Sequence, residues 1–85
     1  MDGRLEAWRE ALKPVVDRTA IDGGVRLTFA PGTPLAQVAD LAAAEHDCCM
    51  FFRFAVTVDH RGAAIEVTAP PEALALVHAL VGAPS

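Results

Sequence analysis

No run of about 18 apolar residues occurs in this chain, so nothing in it is long enough to read as a membrane-spanning helix. The start, Met1-Asp2-Gly3-Arg4, lacks the basic region and apolar core of a secretory signal, and the expected location is the cytoplasm. Basic residues are scarce: seven Lys and Arg stand against eleven Asp and Glu, without a cluster. The electrostatic footprint of a nucleic-acid binder is therefore missing, and no direct nucleic-acid or membrane partner is expected. Internal repeats and low-complexity segments are absent. So are a Ser-His-Asp arrangement in recognisable form, a glycine-rich phosphate loop and a carboxylate pair set between apolar walls, which makes a non-enzyme the expectation. Cysteine is confined to one adjacent pair, Cys48 and Cys49. In a reducing compartment such a pair reads as thiols, metal ligands or redox groups before it reads as a structural staple.

What is present is apolar. Hydrophobic residues make up 53% of 85 residues and the mean hydropathy is +0.33. A chain of this length closes one core, so residues 1–85 are read as a single domain, and the apolar surplus is expected to find an outlet in a homodimer.

Arg4 to Lys13 reads as a helix, because Leu5, Trp8 and Leu12 recur at helical spacing among charged residues, and Pro14 ends it. Trp8 is taken as a helix-packing or dimer residue. Val15 to Ile21 is ambiguous between further helix and a strand, and the tight-turn sequence Asp22-Gly23-Gly24 follows. Val25, Leu27 and Phe29 alternate with polar residues as in a half-buried strand. Thr33 offers a helix N-cap with Pro34 at the first helical position, and Leu35, Val38, Ala39, Leu41 and Ala42 form an apolar stripe. From Phe52 the period becomes two, with Phe52, Phe54, Val56 and Val58 pointing one way. Asp59-His60-Arg61-Gly62 is a hairpin loop, and Ala63 to Thr68 returns. A last helix starts at Pro70-Pro71-Glu72, turns Leu74, Val77, Leu80 and Val81 to the core, and stops at Gly82. The expected fold is α+β: a small antiparallel sheet of three, possibly four strands covered by helices on one face, in the order α-β-α-β-β-α.

The chemistry concentrates where the second helix hands over to a strand. Glu45 lies three residues before Cys48 and four before Cys49, and His46 three before Cys49, so each shares a helix face with a thiol. Neighbours in a regular helix point about 100° apart, so the two thiols share an ion only where the helix frays. Two thiolates with an imidazole or carboxylate suit zinc, and two nearly linear thiolates suit Hg(II) or Cu(I). A full tetrahedral sulfur site would need cysteines from a second chain. Nucleophilic catalysis is disfavoured, since a helix C-terminus opposes thiolate formation and the two-residue spacing of thioredoxin-like pairs is absent.

The segment Leu41-Ala42-Ala43-Ala44-Glu45-His46-Asp47-Cys48-Cys49-Met50-Phe51-Phe52-Arg53-Phe54, with Ile65 to Ala73 and the strand Gly23 to Phe29, resembles a small actinobacterial module. That module has a Glu-x-x-Cys-Cys-x-Phe-x-x-Phe core and is found alone or as the C-terminal extension of MerR-type heavy-metal-responsive regulators. The resemblance runs from about Trp8 onward and is most specific at the cysteines. The module often carries proline after the second cysteine, where Met50 stands here, a change that would loosen the bend or add a soft thioether. The resemblance implies sensing or handling of a metal, with Cys48, Cys49 and Glu45 as its positions; His46 lies outside its pattern. These 85 residues hold no winged helix-turn-helix and no long dimerisation helix, so a regulatory role would need a protein partner.

The reading from sequence is a cytoplasmic, dimeric module that binds a thiophilic metal ion of the Hg, Zn or Cu class through Cys48 and Cys49, with Glu45 and then His46 as further ligands. The alternative is a protein-interaction or dimerisation module in which the cysteines are core.

Overall fold

The computed structural model describes residues 3–84; Met1 and Asp2, part of the start read above for a leader, lie outside them. The elements run α1 (Arg4–Ala11), β1 (Val15–Ile21), β2 (Gly24–Phe29), α2 (Ala36–Cys48), β3 (Arg53–Asp59), β4 (Gly62–Thr68), a 3-10 turn (Pro71–Ala73) and α3 (Leu74–Val81). The α+β class and the element order follow the sequence reading, with the ambiguous stretch after Pro14 resolved as a full strand.

Helix α1 ends two residues before Lys13. The Leu12 N–H donates to Trp8 O and the Lys13 N–H to Glu10 O at 3.3 Å, a tightening turn that delivers the chain to Pro14, which has no N–H to continue a helix. Strands β1 and β2 pair antiparallel around Asp22-Gly23, where Gly23 takes φ 81°. At Gly24 a Cβ would lie 1.8 Å from Val67 O, so only glycine lets β2 approach β4 there.

The start of α2 corrects the sequence reading. Thr33 is not its N-cap: the hydroxyl donates to Ala30 O at 2.7 Å and closes the turn through Pro31-Gly32. The helix therefore begins at Ala36, after Pro34. Ala39 also leaves the expected stripe and faces solvent, while Val38 and Ala42 are buried.

The four strands form one antiparallel sheet in the order β1-β2-β4-β3. Its register places Val25 opposite Val67 and Val67 opposite Phe54, so one face carries an apolar row across three strands. Val25, Leu27, Phe29, Ile65 and Val67 on that face are buried against Trp8, Val38, Val77 and Val81 of the helices. Each fully buried aliphatic side chain of this kind contributes about 1.5–3 kcal/mol before entropy is counted. On the opposite face Arg26 bonds Glu66, its partner across the β2–β4 register, at 2.9 Å and reaches Thr57 of β3 at 3.4 Å. Among the described residues no helix is long and apolar enough to cross a membrane.

Candidate functional site

The last turn of α2 carries a carboxylate where its packing calls for an apolar residue. Val38, Ala42 and Glu45 follow one another by four and three residues, which is the buried stripe of the helix. Glu45 is only 2% exposed. Its Oε1 accepts the indole N–H of Trp8 at 3.1 Å, a contact between residues 37 apart in sequence. A buried carboxylate and a buried indole each need a partner, and this bond gives one to both. The Trp8 ring is stacked on Phe54 with centroids 5.7 Å apart, and Phe54 in turn meets Phe52 at 5.8 Å. Helix α1, helix α2 and the start of β3 are thereby tied together beside the cysteines.

The helix lets go between the two thiols. Cys48 is the last helical residue, while Cys49 has φ −132° and ψ 85°, well outside helical geometry. The Cys49 N–H still donates to Glu45 O at 2.8 Å, and Cys49 O accepts the Phe52 N–H at 3.1 Å, so the backbone turns sharply from helix to strand over four residues. Both cysteines are thiols. Cys48 stands exposed, and Cys49 is half-buried against the edge of the core. Core burial of the pair thus applies in part to Cys49 and not to Cys48.

Three hollows surround this junction. Glu45 and Cys49 share one, a cavity of about 230 Å³ with apolar walls that include Leu5, Phe52, Leu76 and Leu80. His46 borders a second of about 540 Å³ together with Met50, Arg53 and Pro70, and a third of about 380 Å³ between α2 and β3. Of the sequence-selected residues, then, Glu45 and Cys49 are brought together, while Cys48 and His46 stand to the outside. Among the described residues, no three His, Cys, Asp or Glu side chains converge in a way that would hold a metal ion.

Sequence reasoning passed over Trp8 as part of this site. The signal was available in two halves: a lone tryptophan whose N–H must find an acceptor, and a carboxylate at a stripe position of an Ala-rich helix. Nothing in the chain links the halves before the fold does. Set against family models, characterised proteins and solved structures, the chain matches none.

Proposed function

We propose that this protein binds a soft, thiophilic metal ion through Cys48 and Cys49, with Glu45 beside Cys49 and His46 at the outer rim, and that it serves in sequestration or sensing of that ion. The observation that carries the reading is the loss of helical geometry at Cys49, which releases the second thiol from the fixed 100° splay that a regular helix would impose on the pair. Two thiolates at such a bend suit an ion content with two sulfur donors in near-linear geometry, the Hg(II) and Cu(I) class. A four-coordinate zinc ion would draw its remaining ligands from Glu45, His46 or a second chain. Binding requires both thiols to lose their protons, so affinity falls as pH is lowered. The protein is a binder and not a catalyst in this reading, because the adjacent pair at the C-terminal end of α2 lacks the two-residue spacing of a thioredoxin-like redox pair. Sensing would require a regulatory protein partner; sequestration would not.

Titration of fully reduced protein with Hg(II), Cu(I) and Zn(II), followed by thiolate-to-metal absorbance and native mass spectrometry, tests the proposal. One ion retained per chain or per dimer is expected, with tight binding lost in Cys48→Ser and in Cys49→Ser while the fold persists. Normal binding in both variants, or none in the wild type, overturns it.

The partial packing of Cys49 against the core favours one other reading, an interaction module in which that thiol is structural. Slow labelling of both thiols together with no metal uptake would select it.

A further inference from the structure

The two edges of the sheet are treated differently by the sequence. Strand β1 is blunted: its register shifts between Val15 and Asp17, and Arg18 in its middle is drawn off to the end of α3, its Nε donating to Val81 O at 2.8 Å. Strand β3, at the other edge, runs Arg53-Phe54-Ala55-Val56-Thr57-Val58-Asp59 in unbroken register with β4, without proline or bulge and with charge only at its ends. Val58 is 73% exposed and Val56 38%. An edge of this kind is a template for another strand.

Backbone parity identifies the groups that this template offers. The Ala69 N–H donates to Gly23 O, so odd-numbered residues of β4 direct their backbone groups to β2 and even-numbered ones to β3. The even-numbered residues Gly62, Ala64, Glu66 and Thr68 stand opposite Asp59, Thr57, Ala55 and Arg53. The N–H and C=O groups of Phe54, Val56 and Val58 therefore point outward, to the open edge. The same three residues turn their side chains toward the helices.

We propose that β3 is a homodimerisation strand, which pairs antiparallel with β3 of a second copy about a two-fold axis at Val56 and joins two sheets into one. In that register Val56 faces the partner's Val56, and Phe54 faces the partner's Val58 on each side of the axis. All three outward-pointing residues then form hydrogen-bonded pairs, and their apolar side chains meet on the helix side of the sheet. Arg53 falls opposite the partner's Asp59 twice, by the same symmetry. Any other register that keeps the backbone parity leaves at least one of the three residues unpaired and separates the charges. Asp59 already accepts hydrogen bonds from the Arg61 backbone and side chain, so the partner's Arg53 joins a carboxylate that Arg61 holds in place at the strand end. Beside the strand, the groove between α2 and β3 is floored by Ala39, Ala42 and Ala43, small enough to admit the partner's valines. One strand buries less than the roughly 800 Å² per partner of a stable interface, so the exposed alanine side of α2 has to close over the joint. His46 and Asp47 also border this groove, so the interface is tested on the metal-free protein.

Sedimentation velocity of the reduced, metal-free protein, from low micromolar to near millimolar concentration, is expected to show a monomer–dimer equilibrium. Val58→Lys, at an exposed position, is expected to weaken it at least tenfold with the thermal melt of the monomer little changed. Arg53→Asp and Asp59→Arg are each expected to weaken self-association, whereas an equimolar mixture of the two restores both charge pairs and forms a heterodimer. Amide exchange at Phe54, Val56 and Val58 is expected to slow with concentration, and that at Val16 to stay constant. A monomer throughout the range overturns the proposal. So does a dimer that both Val58→Lys and Arg53→Asp leave at full strength.

Discussion

The last turn of α2 has an inner and an outer side, and they obey different rules. Inside, Glu45 is bonded to Trp8, Cys49 leans on the core, and three elements meet within one aromatic row of Trp8, Phe54 and Phe52. Outside, Cys48, His46 and Asp47 are exposed one or two residues away. The difference teaches that adjacency in sequence is a poor guide to shared chemistry on a helix: residues 45 and 49 belong together, and residues 48 and 49 do so only where the helix ends. It also gives Glu45 a structural duty that a ligand assignment alone would miss.

Substitutions that cross this divide should have graded effects. Trp8→Ala empties the largest fully buried side chain and removes the donor to Glu45, and a loss of about 3–5 kcal/mol is expected in denaturant unfolding. Glu45→Leu keeps the volume but strands the indole N–H, which costs about 1–3 kcal/mol; a stability unchanged by this variant would break the inner side of the comparison. Further out, Cys49→Ala is expected to cost roughly 1 kcal/mol, and Cys48→Ala to stay within about 0.5 kcal/mol. A thiol reagent should label Cys48 first, and equal rates would erase the distinction between the two sides. The smallest effect is expected at the far end of β3, where Asp59 is held by Arg61 at 2.8 Å. Its carboxyl is lowered from 3.8 to about 2, so its contribution is complete above the unfolded value and is lost as pH falls through the folded one. In dilute monomer, Asp59→Asn should remove that shallow dependence between roughly pH 4 and 2, seen in acid titrations of the melting temperature.

Much of the fold was legible because it rests on local signals. The alternation of Val25, Leu27 and Phe29, the hairpin at His60-Arg61 and the stop at Gly82, with φ 94°, are all written within a few residues of where they act. Strand β1 was not legible: half its residues face solvent at an edge, so its period is weak. Thr33 misled because a hydroxyl serves a turn as readily as a helix cap, and only the position of the Ala30 carbonyl decides between them. At the site, the four-residue spacing of Glu45 and Cys49 was enough to place them on one side of the helix, where they share a cavity. The depth of Glu45 and its bond to Trp8 join distant segments, and no spacing encodes them.

The bond between Trp8 and Glu45 has an optical consequence. Trp8 is the only tryptophan, so all indole fluorescence of the chain originates from a ring hydrogen-bonded to the residue that shares a cavity with Cys49. Its emission is thereby a built-in gauge of that cavity: a heavy ion arriving at Cys49 would quench it, and a shift of the Glu45 carboxylate would move its wavelength, with no label attached.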